Sequence, residues 1–579
     1  MTTSSLASDV EHALLQDVSV TAGWQLIERF ASLARESGMT DELDAADCIA
    51  AALDRFGVSY EMFEPDLYLS LPRGGSVSVG EHEFQAKPPS FARPTPEGGV
   101  TAPAVYLEVP PVRDLGELFD DMHREGAASV AGKVVVTNGY AMPSAVQRFE
   151  RAGAVAQIYI NRGDNIHWGI CTPIWGTPID GNIDEKPRTP VVAINHPDGE
   201  RLVAAVSAES TPVTVRATLE EGWYRCKLPV ATIPGASDDF LLVHGHYDSW
   251  GVGIGDNAVG DATLLELARI FHGRRDRLRR SLKVAWWPGH STGRYAGSTW
   301  FADQFATELR KRCVAAVNID SPGCRGASAF EDVMWMAETD RLCRGAITDA
   351  TGQPSERRRP IRAGDYSFNQ IGLSSFFMLL SNIPAKQREE LGYYPVGGCG
   401  GNIAWHTEDD VLNIADATHL EQDLKVYVTA IARVLNAEVL PLDHRAAVQE
   451  IAEGLAQHEA QADGLVDFGA VNHELQSLQE GLDGFYAAAD DLPPVAVNRT
   501  IVELSRLLVP LNYARGPRFQ HDPALPLGVV PILDDVAKLK PYAAEQRERL
   551  PFLQAGIRRS LNVVANTLYE AAELTRHHS

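Results

Sequence analysis

Between residues 226 and 440 the chain alternates apolar runs with amphipathic segments, and this rhythm constrains the fold more than any other feature. DFLLVHGHYDSW, SLKVAWW, CVAAVNID and SSFFMLL read as strands. Between the first two, NAVGDATLLELARIF places Leu264, Leu267, Ala268 and Phe271 on one helical face. Strands separated by helices predict an α/β fold with a mostly parallel sheet flanked by helices, because parallel neighbours need a crossover long enough to hold a helix. Such sheets bind ligands beyond the carboxyl ends of their strands. Polar residues cluster at those ends here: His246 and Asp248, then His290 and Ser291, then Asp320.

Outside this region the patterns change. Residues 1–95 open with helical periodicity: AADCIAAALDRFG stops at Gly57, and extended segments and a Pro-rich passage, KPPSFARPTPEGGVTAP, follow. That passage reads as a linker. Residues 96–225 read as a small α/β unit, with strand GKVVVTN, helix PSAVQRFERAGA and strands AQIYIN and TPVVAIN. Residues 441–579 are helical and end in a segment with Leu561, Val564, Leu568 and Ala571 along one stripe.

The 579 residues exceed one hydrophobic core and call for several domains. A net charge of −25 argues against nucleic acid, which needs a basic footprint. No run approaches the roughly 18 apolar residues of a membrane span. The first residues show no basic segment followed by an apolar one, so a cytoplasmic protein is expected. The seven cysteines are scattered without a CxxC pair, which predicts reduced, mostly buried thiols.

Taken singly, the polar residues have ordinary readings. Asp256 precedes a helix and would cap it; Asp320 ends a strand and would form a turn. His406 follows GGCGGN, which lacks the lysine of a phosphate-binding loop, so its glycines supply turns with positive φ. Together, two histidines and two aspartates at successive strand ends would converge on one cleft. Imidazole and carboxylate suit zinc and related metals, and a carboxylate can bridge two ions about 3.5–4 Å apart.

The order GHYDSW, GDNAVG, NID, WHTEDD resembles the co-catalytic zinc aminopeptidase family that includes glutamate carboxypeptidase and the transferrin receptor. The resemblance covers nearly the whole chain. Residues 96–225 resemble the protease-associated domain inserted in those relatives, and residues 441–579 their helical dimerisation domain. By position, the resemblance implies that His246 and Asp320 hold one metal and His406 the other. Asp256 would bridge and Asp248 would support His246. GDYSFNQIGL resembles a later cleft motif and gives Asp365 a role toward substrate. Separately, the aromatics Trp250, Trp286, Trp287, Tyr366 and Trp405 near the site could line a pocket for an apolar or planar group or pack the sheet, the latter being preferred for Trp286.

One stretch departs from the pattern. Where the family has two adjacent glutamates, a general base and a metal ligand, WWPGHSTGRYAGS carries His290 and Ser291. Gly293 and Gly297-Ser298 remain recognisable. An imidazole serves either as ligand or as base. The ligand role is preferred, because losing a carboxylate ligand costs more than losing a base. The expected function is a metal-dependent hydrolase cleaving a peptide or other amide bond. It would bind one or two zinc ions, or another divalent transition metal, and form a homodimer through the helical region. The alternatives are a specialised small-molecule amide hydrolase and a non-catalytic scaffold.

Overall fold

A computed structural model of the chain describes residues 9–119, 130–208 and 211–576. Its principal sheet has eight strands: β1 (Tyr60–Phe63), β2 (Leu228–Ile233), β3 (Ser237–His246), β4 (Arg280–Trp287), β5 (Cys313–Asn318), β6 (Val333–Trp335), β7 (Arg357–Arg358) and β8 (Ser375–Met378). They lie in the order β1-β2-β4-β3-β5-β8-β6-β7. The centre, β4-β3-β5-β8, is parallel, and β1, β2 and β6 introduce the antiparallel pairings. Register sets the site: His246 at the end of β3 lies opposite Trp287 at the end of β4, and His244 opposite Asn318 at the end of β5. The three strands therefore finish at one level, and the polar residues that follow them emerge side by side.

The helix Val259–Gly273 is buried on nearly every side, more than its amphipathic pattern requires. Its extra burial comes from the helix Thr21–Phe30, which crosses at Gly23, where an added Cβ would lie 3.0 Å from the Ala262 carbonyl. Glu266 caps that crossing by accepting from the Ala22 and Gly23 amides at 2.9 Å each. The N-terminal helices thus complete the core around the principal sheet.

A second sheet of seven strands stands beside the first. Its outer ribbon is His82–Ala86, Asp66–Val79 and Pro212–Arg225; its parallel part is Val100–Leu107, Val134–Asn138, Ala156–Ile160 and Val191–Ile194. It therefore begins at Asp66, about thirty residues before the position expected from the sequence. The boundary has no local mark, because the strand that pairs with Asp66–Val79 is more than a hundred residues away, in Pro212–Arg225. The Pro-rich passage is likewise no free linker. Ser90, Phe91 and Ala92 are buried, and the Ser70 hydroxyl accepts from the Phe91 amide at 2.7 Å.

The C-terminal helices His444–Ala462, Gly469–Ala488, Pro494–Tyr513 and Leu550–Arg576 share their own apolar core, with Leu561, Val564, Leu568 and Ala571 buried as the stripe predicts. They are tied to the principal sheet by Arg506, a buried guanidinium that donates to the Gly372 carbonyl at 2.6 Å and the Arg310 carbonyl at 2.8 Å. All seven cysteines are free and six are buried. Among the described residues no helix is long and apolar enough to cross a membrane.

Candidate functional site

His246, Asp256 and Asp320 are all buried, and a donor atom from each lies within 4.8 Å of the others. The His246 Nε2 is 3.1 Å from Asp256 Oδ1 and 3.8 Å from Asp320 Oδ2. On the far side of the same carboxylate, His406 Nε2 is 3.0 Å from Asp256 Oδ2. Asp256 thus presents one oxygen to each imidazole, the geometry of a bridging ligand. Both histidines are pinned through the other ring nitrogen: His246 Nδ1 meets the Asp248 carbonyl at 3.0 Å and His406 Nδ1 the Trp168 carbonyl at 3.0 Å. That fixes Nδ1 as donor and turns Nε2 toward the carboxylates.

Despite this proximity, His246 Nε2 and Asp256 Oδ1 are buried without a hydrogen-bond partner. Buried polar atoms are almost always satisfied. Two acceptors converging on one point without a donor fit a cation, and the donor set of imidazole and carboxylate fits zinc. Burial pushes the Asp256 carboxyl up, but His246 and His406 outweigh it and hold it well below its ordinary value. Burial lowers the His246 imidazole, but Asp256 and Asp320 outweigh it and raise it well above its ordinary value, so a cation binding here would displace a proton.

Residues that sequence reasoning missed hold these side chains in place. Asn257, joined to Asp256 by a cis peptide, donates to the Ile319 carbonyl at 2.9 Å and accepts from the Ser321 amide at 2.9 Å. It straps the Asp256 turn to the end of β5, and its only sequence signal was adjacency to Asp256. Asp410, in WHTEDD, accepts from the Gly255 and Asp256 amides at 2.6 and 3.0 Å. Arg35, more than two hundred residues away, donates to the Tyr247 and Gly253 carbonyls at 2.7 and 2.8 Å and also to that of Val252. No local pattern marks it.

Asp423 anchors the loop after Asp320, accepting from the Gly323 amide at 2.8 Å and the Ser381 hydroxyl at 2.5 Å. Burial pushes its carboxyl from 3.8 up to about 7. The folded chain then keeps a proton that the unfolded chain releases near 4, so stability falls as pH rises from about 4 to about 7 and levels off above. Asp423→Asn is expected to flatten this dependence. The check is the urea midpoint from pH 4 to 8, where the variant's advantage over wild type should grow until about pH 7.

The stretch after β4 takes an unexpected form. Asp248, expected to support His246, has its Oδ1 3.8 Å from the His246 ring, beyond hydrogen-bond range. Its carboxylate instead accepts from the His290 amide at 3.0 Å, the Ser291 amide at 2.8 Å and the Ser37 hydroxyl at 2.6 Å. It fixes the departing loop, while only its carbonyl holds His246. The His290 ring stacks on that of His246, with centroids 3.6 Å apart and planes 10° apart. Its Nδ1 lies 2.9 Å from Asp365 Oδ2. Asp365 is itself held by the Ser298 hydroxyl at 2.6 Å, which contacts Ser367 at 2.8 Å, which accepts from Trp175 Nε1 at 2.9 Å. Burial raises the Asp365 carboxyl, yet His290 keeps it below its ordinary value. Asp365 therefore backs His290 from inside the protein.

The cleft is lined by His290, Asp256, Asp320 and His406 and walled by Trp250 and Trp405. Trp405 stacks on His406 at 3.6 Å. Tyr366 is absent from this lining: it is buried with Trp175, Tyr295 and Met378. Trp286 sits in the main core, as expected. The second sheet supplies the opposite wall, including Lys87, Tyr140, His167 and Trp168. Its attachment is specific: the Trp168 amide donates to the His406 carbonyl at 2.9 Å, and His167 Nδ1 meets the Trp405 carbonyl at 2.7 Å. Burial pushes the His167 imidazole down to about 3, so it stays neutral in this wall.

A parallel sheet whose strand ends gather two imidazoles around a shared carboxylate is an α/β arrangement able to hold a metal ion. Residues 230–429 match the family model described as Peptidase family M28. The chain is similar to aminopeptidase NAALADL1 of Mus musculus, 36% identical over 122 residues that make up 20% of this chain and 15% of the relative. It is also similar to transferrin receptor protein 2 of Rattus norvegicus, 26% identical over 179 residues, 30% of this chain and 20% of the relative. The matches thus span a fifth or less of these curated relatives. A zinc aminopeptidase from Bacillus subtilis shares the fold, with a TM-score of 0.53 at 19% identity, covering 73% of this chain and 96% of that one.

Proposed function

We propose that the protein is a metal-dependent hydrolase that cleaves a peptide or related amide bond, with zinc held by His246, Asp256 and Asp320 and a second position between Asp256 and His406. The observation that carries this reading is the pair of orphaned buried acceptors, His246 Nε2 and Asp256 Oδ1, facing Asp320. Bound zinc would supply Lewis acidity and a water made nucleophilic near neutral pH. The residues do the rest. His246 and His406 direct their Nε2 atoms inward because backbone carbonyls occupy Nδ1.

His290 is proposed as the proton acceptor rather than as a ligand, a reversal of the preference drawn from sequence. Two features support this. Among the described residues the only carboxylate within 4.0 Å of a His290 ring nitrogen is Asp365, whereas His406 Nε2 lies 3.0 Å from Asp256. The His290 Nδ1 is taken by Asp365, which orients Nε2 as the accepting atom. Asp365 acts as its positioning residue. Trp405 and Trp250 would hold an apolar or planar group of the substrate. The second-sheet unit is proposed to be a protease-associated domain that closes the cleft. A homodimer through the C-terminal helices is supported by Val495 and Phe552, large apolar side chains exposed there.

The test is metal analysis after chelation and reconstitution with zinc. One tightly held ion per chain is expected, with a second lost earlier on dialysis because it has only two protein donors, and reconstitution should restore hydrolysis of peptide or aminoacyl-anilide substrates. Below about 0.2 equivalents of metal per chain after reconstitution, the proposal fails.

A further inference from the structure

Arginines are rarely buried unless paired. Five are buried among the described residues: Arg35, Arg280, Arg294, Arg433 and Arg506. Four have their guanidinium engaged. Arg35, Arg280 and Arg506 donate to backbone carbonyls, and Arg433 to the Glu11 carboxylate. Arg294 is the exception. Only 5% exposed, it makes no side-chain hydrogen bond or ion pair with any described residue, and its Nε is buried without a partner. It lines the same cleft as Asp256, His290, Asp320 and His406.

The backbone delivers Arg294 to this place deliberately. Arg294 and Tyr295 both have left-handed φ, 51° and 70°, in a turn without glycine at either position. The Gly176 amide donates to the Arg294 carbonyl at 2.7 Å, and the Tyr295 hydroxyl accepts from the Gly364 amide at 2.9 Å, so the turn is clamped on both sides. The guanidinium carbon lies 5.2 Å from the Tyr295 ring centroid. The other cation in the cleft is committed elsewhere: Lys87 Nζ is 2.7 Å from Glu408 and 2.7 Å from the Ile166 carbonyl. The cleft's carboxylates, Asp256 and Asp320, face His246. One positive charge therefore remains without a protein counterpart.

We propose that Arg294 receives a carboxylate of the substrate, so that the cleft selects amides bearing a free carboxylate together with an apolar or planar body. The guanidinium fork matches a carboxylate in bidentate geometry, and a desolvated site strengthens the pair. Trp168, Trp250 and Trp405 supply the surface for the apolar part. The substrate class rests on the hydrolase reading given above; the carboxylate receptor does not. The carboxylate has two natural sources, a C-terminus or an acidic side chain.

The test uses full-length, zinc-reconstituted protein as wild type, Arg294→Gln and Arg294→Lys, with zinc content and melting temperature measured for each. The first arm is calorimetric binding of 3-phenylpropionate and of neutral 3-phenylpropanamide. The acid should bind wild type roughly tenfold or more tightly than the amide, and this preference should vanish in Arg294→Gln and survive in part in Arg294→Lys. Equal binding of the acid to wild type and Arg294→Gln would place the carboxylate on the metal and overturn the proposal, as would equal binding of acid and amide to wild type. The second arm compares KM for Phe-Leu, Phe-Leu amide and Phe-Glu amide. A rise in KM on Arg294→Gln confined to Phe-Leu identifies a C-terminal carboxylate, and one confined to Phe-Glu amide an acidic side chain; an equal rise for all three overturns the substrate class. Acid binding through Arg294 without hydrolysis of any dipeptide supports the receptor and sinks only the hydrolase reading.

Discussion

Asp256→Ala is expected to empty the centre of zinc and lower kcat by roughly 10⁴-fold or more, because it removes the one side chain shared by both proposed metal positions. His246 would keep only Asp320 as a partner, and His406 would keep none from a side chain. The fold should survive, since Asp410 holds the Gly255 and Asp256 amides independently of the Asp256 side chain. Because His246 and His406 hold this carboxylate well below its ordinary pKa in the fold, its removal should lower the metal-free melting temperature at neutral pH. Zinc content by elemental analysis, kcat and a metal-free melt check the three statements together. Full zinc retention in Asp256→Ala would refute the bridging role.

The second large effect is expected at His290. His290→Ala should lower kcat by roughly 10²- to 10⁴-fold while zinc content stays at the wild-type level, the signature of a lost proton acceptor. His290→Glu should recover part of the rate, because a carboxylate in the same place also accepts a proton. Asp365→Asn should give a smaller fall in kcat, since it removes the charge behind His290 but not the imidazole. Loss of zinc in His290→Ala would instead make His290 a ligand. The two readings thus separate on one measurement of metal content.

The four proposed ligand positions, His246, Asp256, Asp320 and His406, stand out in the sequence because each follows a strand or a glycine-rich turn in a recognisable order. Asp256 has alternative readings in sequence as a helix cap or a ligand; in the structure it caps nothing and presents its two oxygens to two imidazoles. Asp248 shows the limit of reasoning by spacing. Two residues apart on an extended strand predicts that its carboxylate and His246 share a side, but β3 ends at His246, and the chain turns so that the carboxylate captures the His290 and Ser291 amides. Tyr366, two residues before Phe368, falls into the core rather than the cleft for the same reason: the loop's path decides which side chains face inward.

Sequence alone determined the four parallel strands β3, β4, β5 and β8 of the principal sheet and the helix Val259–Gly273, because periodicity and turn residues are local properties of the chain. It also marked the polar residues that the sheet would carry to one edge. Tertiary structure decided what those residues do. Only register brings β3, β4 and β5 to the same level, and only long-range contacts place Arg35 and Asp410 behind the Asp256 turn. The pairing of Asp66–Val79 with Pro212–Arg225, the Asp365 carboxylate behind His290 and the unpaired guanidinium of Arg294 likewise have no local signature. Each depends on which distant groups fill the space around a side chain, and burial and pairing are properties of that space rather than of the residue.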